Sequence, residues 1–183
     1  MYKYQTAFVK ICRIIANETR LHLLWVVFEN NGLCVQDAAE KVNISSQNGS
    51  HQLSLLATAK LIEPTRAKRK VLYRPTAEPE TAEAKHLLSL LLQCHSDKTS
   101  FKTIIHFSTA FTHERRIQIV RCLSQSDRSF ESLLKKTGMT SPSQVRHLRK
   151  LRQRGFVKKQ NGAFALNRPE SDFARGLLQL AVR

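Results

Sequence analysis

The stretch that decides the fold covers residues 139–157 and reads MTSPSQVRHLRKLRQRGFV. Thr140 is a residue type that starts helices, and Pro142 lies in the first turn, where a missing N–H donor costs little. The apolar residues that follow are spaced to form one buried side of a helix, and they are Val145, Leu148 and Leu151. The stretch therefore predicts a helix of which one side is buried and the other side is basic.

The residues around this stretch complete an order of elements. Gly138 lies in the turn before it, and Asn161-Gly162 after it is typical of a hairpin turn. We predict helices over 100–111, from Thr112 onward and over 130–137, then two strands within 156–167 and a last helix over 170–182. A short helix, a turn and a longer helix form the DNA-reading pair of a winged helix-turn-helix unit.

The first half of the chain repeats this order. Glu18-Thr19-Arg20-Leu21 aligns with Glu114-Arg115-Arg116-Ile117, and Leu53 aligns with Leu148. We predict helices over 4–15, from Asn17 onward, over 35–42 and from Ser45 onward, then strands within 61–74 and a helix over 79–95. The predicted fold class is mainly α (α+β), with two winged helix-turn-helix units in tandem and a pseudo-two-fold arrangement. The predicted units are residues 1–98 and 99–183.

The charge of the chain favours a polyanionic partner. Thirty Lys and Arg stand against 14 Asp and Glu, which gives a net charge of +16. Residues 1–98 hold 13 basic and 9 acidic side chains (+4), and residues 99–183 hold 17 and 5 (+12). No apolar run is long enough for a membrane span, no signal-peptide core is evident, and the four cysteines are scattered. We expect a cytoplasmic protein that binds double-stranded DNA and no membrane.

In the second half, the candidate DNA-binding residues lie on the helix of the opening stretch and on the strand after it. Arginine pairs with guanine edges, and Ser or Gln either accepts or donates hydrogen bonds there, whereas lysine and arginine also hold phosphates. The candidates are Ser141, Ser143, Gln144, Arg146, His147, Arg149, Lys150, Lys158 and Lys159.

The first half offers a different set of candidates. Its equivalent helix, residues 46–59, has no Lys or Arg, and its polar side is predicted to be Ser46, Gln47, Asn48, Ser50, His51 and Gln52. Its cations lie in the predicted hairpin instead, at Arg66, Lys68, Arg69 and Lys70. A hairpin of this charge suits phosphates or the minor groove of an adjacent turn of DNA. Because the two halves of the chain carry different candidate residues, we predict an asymmetric DNA site rather than a near-palindrome.

With these elements in place, the chain resembles the ArsR family of small bacterial and archaeal transcriptional repressors. Residues 139–157 are similar to the family's recognition-helix signature, a Ser-x-His-Leu core, then x-x-Leu, then Gly and two apolar residues. His147 keeps the signature, but Val145 stands where the family usually has Ser. The first half keeps Ser50 and carries Gln52 in place of His. The resemblance implies sequence-specific DNA binding by a transcriptional regulator, in the family's manner a repressor.

The resemblance also bears on assembly. Members of the family are usually homodimers held by their first and last helices. Here the last helix of the first half leads through residues 96–100 to the first helix of the second half. We expect the duplication to supply a dimer within one chain, because a covalent link raises the effective concentration of the second half. The expected state is a monomer with an internal pseudo-dimer, with further dimerisation left open.

A metal site is not predicted. The stretch Gly32-Leu33-Cys34-Val35-Gln36-Asp37 is similar to a metal-sensing motif of some family members that has two cysteines, but Gln36 replaces the second one. One thiolate is a poor site for a soft metal, which needs about three or four ligands, so Cys34 is only a weak candidate. His86 and His95 do not match the spacing of other metal sites in the family.

Two other functions fit the same pattern. One is a plasmid or viral replication initiator with tandem winged helices, which would usually have longer connections and further domains. The other is a tandem winged-helix adaptor that binds proteins, which would not need the seven Lys and Arg between Arg146 and Lys159. The chain has no phosphate-cradling Gly-rich loop, no GxSxG and no HExxH, so we expect no enzyme activity and no cofactor.

The charge difference between the halves yields a first prediction. Changing Arg146, Arg149 and Lys150 to Gln should flatten the salt dependence of DNA binding more than changing Arg66, Lys68 and Lys70 to Gln. Each phosphate contact that is lost reduces the slope of log Kobs against log salt by about 0.9. Fluorescence anisotropy with a labelled duplex, over a salt series, measures the slopes. Equal slopes for the two triple variants would contradict the prediction.

Overall fold

A computed structural model of the chain describes residues 3–183 except residues 31, 69, 78 and 80. This part is mostly helical, with two small antiparallel sheets of two strands each. None of its helices is both long enough and apolar enough to cross a membrane. It divides into two compact units, which we call the first unit (Ile14–Ile105) and the second unit (Met1–Arg13 with His106–Arg183). The predicted boundary of the sequence repeat, after Lys98, lies within the first unit and stays a prediction.

Helix α1 spans Lys3–Ile15, and its residues up to Arg13 belong to the second unit. The first unit then contains three helices, a two-stranded sheet and a further helix, and it ends within α6. These elements are α2 (Glu18–Glu29), α3 (Val35–Lys41), α4 (Ser46–Thr58), β1 (Ile62–Ala67), β2 (Lys70–Pro75), α5 (Ala82–Ser96) and α6 (Phe101–Ser108). The predicted helices and strands of this half are thereby confirmed, with ends that differ by up to three residues.

Side-chain caps explain where the helices of the first unit begin. The Asn17 side chain accepts a hydrogen bond from the backbone N–H of Arg20 at 3.0 Å. The Ser45 and Thr81 hydroxyls do the same for Asn48 and Ala84, at 3.2 and 3.1 Å. Such caps satisfy donors that a helix start leaves without a partner. The predicted starts at Asn17 and Ser45 are confirmed.

The core of the first unit lies between α2, α4 and β1. Its fully buried side chains include Leu21, Leu24, Leu53, Leu56 and Ile62. A backbone bridge fixes the segment before α3 to the sheet, because Leu33 and Tyr73 exchange hydrogen bonds of 3.1 and 2.8 Å. The sheet therefore holds both ends of the pair formed by α3 and α4.

The second unit has the same order of elements. After the end of α6 come a 3-10 turn (Thr109–Phe111), α7 (Glu114–Gln125), α8 (Phe130–Thr137), α9 (Ser141–Gln153), β3 (Val157–Gln160), β4 (Ala163–Leu166) and α10 (Asp172–Val182). Arg128 and Phe164 form the same kind of backbone bridge, at 2.9 and 2.8 Å. Asn161 and Gly162 both have positive φ, 48° and 79°, which confirms the predicted hairpin turn.

Aromatic side chains fill the core of the second unit. Phe111 and Phe156 are fully buried and meet edge to face with centroids 4.7 Å apart, and Phe8 of α1 contacts Phe111 at 5.7 Å. The Arg121 side chain donates to the Ala181 carbonyl at 3.0 Å, which fastens α7 to α10. These contacts hold the helices and aromatic core against which α8 and α9 pack.

One predicted helix start is wrong. The cap of α7 is His113, not Thr112, and its Nδ1 accepts from the backbone N–H of Arg115 at 3.2 Å. The Thr112 hydroxyl is engaged elsewhere, because it accepts a 2.6 Å hydrogen bond from the Arg116 guanidinium. A hydroxyl held by a buried cation is not available to cap the next helix.

Close packing of α3 on α4 gives the second prediction. A Cβ added at Gly49 would lie 2.8 Å from the Ala39 Cβ. Gly49→Ala should therefore lower the free energy of unfolding by about 1–3 kcal/mol through overpacking. In an unhindered helix the same change would stabilise by roughly 1 kcal/mol. Urea unfolding followed by circular dichroism measures whether the free energy of unfolding falls or rises. Ser54→Ala, at an exposed position of the same helix, is the control and should have little effect.

Candidate nucleic-acid interface

Helices α8 and α9 and the turn between them form the predicted helix-turn-helix pair. Helix α8 begins after Ser129, whose hydroxyl accepts from the Ser132 N–H at 3.2 Å. It ends at Gly138, which has φ 62° in the left-handed region, where glycine fits without strain. Helix α9 begins after Thr140 with Pro142 in its first turn, as predicted. The turn thus directs α9 away from α8 within three residues.

A buried glutamine fixes the angle between the two helices. The Gln144 amide donates to the Phe130 carbonyl at 2.8 Å, and its Oε1 lies 3.1 Å from the Thr137 hydroxyl. Gln144 is 0% exposed. Its polar atoms therefore join the start of α9 to both ends of α8. Gln144 was predicted to face DNA, and that placement is wrong, because the side chain is used inside the unit.

The buried side of α9 is rotated about the helix axis relative to the side that was predicted to be buried. It consists of Gln144, His147, Leu148 and Leu151, spaced i, i+3, i+4 and i+7. Val145 was predicted to be buried, and it is 51% exposed. His147 was predicted to face DNA, and it is only 2% exposed. The helix therefore presents one apolar side chain among its exposed polar ones.

The exposed side of α9 is strongly basic. Ser141, Arg146, Arg149 and Arg152 are exposed, and Ser143 and Lys150 are half-buried. Arg154, just beyond the helix, is not part of this surface, because its guanidinium contacts the Thr109 hydroxyl at 2.8 Å and His106 Nδ1 at 3.1 Å. We call Ser141, Val145, Arg146, Arg149 and Arg152 the outer side of α9.

The strand after α9 adds further cations. Lys158 and Lys159 are exposed on β3. The Lys159 ammonium lies over the Phe164 ring, 5.8 Å from its centroid, a distance at which a cation and a ring attract. The hairpin of β3 and β4, which we call the second hairpin, thus carries its positive charge close to the end of α9.

His147 lies in a basic and partly buried environment. Its ring is tilted against that of His113, with centroids 4.5 Å apart. Burial and the neighbouring His113 lower the pKa of His147 to about 4, and Arg116, Arg146 and Arg115 contribute to this shift. Burial and four nearby arginines also lower the pKa of His113. Both imidazoles are therefore uncharged at neutral pH.

A buried arginine stands next to these rings. The Arg116 side chain donates to the carbonyls of Ala110 and Thr109 and to the Thr112 hydroxyl. Burial lowers its pKa to about 10, and Arg13 adds to the shift, so the group stays charged at neutral pH. Arg116 and His113 were not among the residues predicted from the sequence to bind DNA. The sequence does hold a signal for Arg116, because this residue lies in the repeated motif and aligns with Arg20.

In the first unit, α4 presents an uncharged surface. Ser46, Gln47, Asn48, Ser50 and His51 are exposed, as predicted. Gln52 is half-buried and is engaged within the unit, because its Oε1 accepts from Arg20 at 3.0 Å and its amide donates to Asn48 at 3.0 Å. Gln52 is therefore less available to DNA than its five neighbours.

The hairpin of β1 and β2, which we call the first hairpin, carries the cations of this half. Arg66, Lys68 and Lys70 are exposed at its end. Lys68 has φ 55°, as expected for a residue in a tight turn. Arg69 was also predicted to bind DNA, and it lies outside the described residues. The three described cations form a small positive tip.

Cys34, the weak candidate for a metal ligand, is the cap residue of α3 and is half-buried. In the described part of the chain, no group of three or more His, Cys, Asp or Glu side chains is arranged to hold a metal ion. Cys12 and Cys94 are buried, and burial raises the pKa of Cys94 to about 11. These two thiols are thus held in the protonated form at neutral pH.

Comparison with protein families identifies the helix-turn-helix segment. The model described as "Bacterial regulatory protein, arsR family" matches residues 113–159. This range begins at the cap of α7 and ends within β3, so it covers α7, α8 and α9, and it lies within the second unit. No curated protein matches the chain. Residues 113–159 are thus similar to a DNA-binding domain of transcriptional regulators. The matched range is less than half of the chain.

The role of Gln144 gives the third prediction. Gln144→Ala should lower the free energy of unfolding by about 1–3 kcal/mol, because it removes a fully buried side chain together with its hydrogen bonds to Phe130 and Thr137. The control is Gln153→Ala, the same change at an exposed position of α9. Urea unfolding of both variants measures the difference. Equal stabilities would contradict a structural role for Gln144.

Proposed function

We propose that the chain is a DNA-binding transcriptional regulator that recognises a specific double-stranded sequence through α9. The observation that carries the proposal is the outer side of α9, where three arginines are exposed on a helix whose other side is buried. The helix belongs to the segment that matches the arsR family. Domains of that family bind double-stranded DNA.

The side chains of the outer side of α9 suit the major groove. Arg146 and Arg149 are long enough to pair with guanine edges, and Ser141 at the helix start suits a phosphate or a base. Val145 offers an apolar contact of the kind that thymine methyl groups make. Because Val145 is exposed and not buried as the sequence predicted, its side chain is available for such a contact.

The two hairpins are proposed to act as wings. Lys158 and Lys159 on the second hairpin and Arg66, Lys68 and Lys70 on the first supply charge without base-reading groups. Such charges hold phosphates and contribute affinity that depends on salt but little on sequence. Within the described residues, α4 offers only uncharged groups at its exposed side, so its contacts would add specificity more than affinity.

We extend the proposal to the whole chain. The recurring order of three helices and a hairpin supports two winged helix-turn-helix units in tandem, which act as an internal pseudo-dimer in one chain. Regulation is proposed to be repression, as the similarity to the arsR family suggests, because a protein that occupies a promoter blocks access to it. We propose no catalytic role. The replication initiator and the protein-binding adaptor remain the alternatives that the experiment must separate.

The fourth prediction concerns the DNA site. Selection of bound duplexes from a random library, followed by sequencing, should enrich one asymmetric site with unlike halves. Light scattering of the complex should show one chain per duplex. Uniform, salt-sensitive binding without enrichment would contradict sequence-specific regulation. No binding at all would favour the adaptor, and enrichment of repeated sites bound by several chains would favour the initiator.

A matched pair of variants tests the role of α9. Arg149→Gln removes a cation from the outer side of α9, and Arg175→Gln removes one from an exposed position of α10. Arg149→Gln should lower affinity for the selected site about tenfold, because a charged hydrogen bond to a base edge is lost. Arg175→Gln should change affinity much less. Equal losses would indicate that only total charge matters.

A further inference from the structure

A cleft of about 450 Å³ lies in the second unit between the start of α7 and one side of α9. From α7 it is lined by His113 and Arg116. From α9 it is lined by a stripe of residues at helical spacing, namely Arg146, His147, Arg149, Lys150 and Gln153. None of these described lining residues is acidic. The cleft therefore concentrates positive charge without a carboxylate to balance it.

One wall of the cleft is a histidine whose ring nitrogens make no hydrogen bond in the described part of the chain. His147 is 2% exposed, and neither of its ring nitrogens has a hydrogen-bond partner among the described residues. Buried polar groups are nearly always hydrogen-bonded, so an exception points to a group that completes the site. A neutral imidazole offers one N–H donor, which suits an oxygen acceptor.

The first unit provides a contrast at aligned positions. There Arg20 donates to Gln52 at 3.0 Å, and Gln52 in turn donates to Asn48. In the repeat, Arg116 aligns with Arg20 and His147 aligns with Gln52. In the second unit, the Arg116 hydrogen bonds that we describe all go to the segment before α7, and none goes to His147. The hydrogen-bonded amide at this position of the first unit is thus replaced in the second by a ring whose nitrogens have no hydrogen-bond partner among the described residues.

Electrostatics favours an anion in this cleft. Burial and the neighbouring guanidinium groups lower the pKa of Lys150, as they do for the two histidines. Each shift records the cost of placing another positive charge here. A tetrahedral oxyanion would relieve this repulsion and accept hydrogen bonds from guanidinium groups, which match phosphate geometry.

From this geometry we infer that the cleft is a phosphate-binding site built around Arg116, His147 and Arg149. Resting on the proposed function, we assign the phosphate to the DNA backbone. Arg146 and Arg149 belong both to the cleft and to the outer side of α9, so a strand that lies along α9 passes the mouth of the cleft. The site would fix the position of α9 on the duplex, because phosphate contacts set register while base contacts set sequence.

The first arm of the test uses inorganic phosphate alone. Proton NMR of the full chain follows the imidazole signals of His113 and His147 during a phosphate titration, with sodium chloride as a control at equal ionic strength. Phosphate should raise the pKa of His147 by about one unit or more, because an anion offsets the repulsion from Arg115, Arg116, Arg146 and His113. Chloride should shift it much less.

Variants make this arm specific. His147→Gln introduces the side chain that the aligned position of the first unit already accommodates, so it should keep the fold while it closes the cleft. Arg149→Gln removes a lining cation, and Arg152→Gln removes an exposed cation of the same helix that does not line the cleft. Phosphate should still shift the His113 signal in Arg152→Gln and should shift it much less in the other two variants.

The second arm uses the selected DNA site. A series of duplexes carries one neutral methylphosphonate at each position in turn. One position should weaken binding of the natural chain about tenfold, since a phosphate held by charged donors is lost. The same substitution should cost less than about twofold in His147→Gln and Arg149→Gln, and it should keep its full cost in Arg152→Gln.

The outcomes separate this inference from the proposed function. Phosphate binding together with a coupled methylphosphonate position supports both. Phosphate binding by a chain that selects no DNA sequence supports the cleft as a site for a free phosphate and overturns its assignment to DNA. Specific DNA binding with no coupled position and no phosphate response overturns the cleft and leaves the proposed function standing. The absence of both responses overturns both.

Discussion

In each unit, an arginine near the start of one helix ties that helix to the segment before it. In the first unit, Arg20 donates to the Ile14 carbonyl at the end of α1 and to Gln52 on α4. In the second unit, Arg116 donates to carbonyls of the 3-10 turn and to Thr112. Carbonyls at the end of a helix lack internal donors and carry partial negative charge, so a cation placed there both satisfies and neutralises them. The positions of α4 and α9 depend on this arrangement, because α2 packs against α4 and α7 packs against α9.

The residue at one aligned position of α4 and α9 differs between the two units. A glutamine there, as at position 52, accepts a hydrogen bond from the guanidinium and is itself hydrogen-bonded to Asn48 within the unit. A histidine there, as at position 147, packs against the His113 ring and leaves its own ring nitrogens without a hydrogen-bond partner among the described residues. The net charges of +4 and +12 for the two sequence halves follow the same division. The hydrogen bonds of this position are thus closed within the first unit and left open in the second.

The sequence predicted the helices, the hairpins and most of their ends, because apolar spacing, capping residues and the Asn161-Gly162 turn are local signals. It failed where a polar side chain is buried. Val145, Leu148 and Leu151 were assigned to the buried side by their apolar character, but a spacing of three residues drifts around a helix by about 60° at each step. The true stripe includes Gln144 and His147, since the glutamine finds partners on α8 and the histidine packs against His113. Such partners are contributed by residues distant in sequence, so no local pattern reveals them.

Concentrating cations on a small unit has an energetic consequence. Seven Lys and Arg between Arg146 and Lys159 repel one another, and the lowered pKa values of His113, His147 and Lys150 report that repulsion at particular atoms. Self-repulsion destabilises the folded chain, and a bound polyanion removes it. Uncharged contacts in the second unit, such as the Phe111–Phe156 pair and the Gln144 bridge, contribute stability that this repulsion does not reduce. Because these contacts already hold α9 in place, the binding of a partner would lose little free energy to ordering the helix.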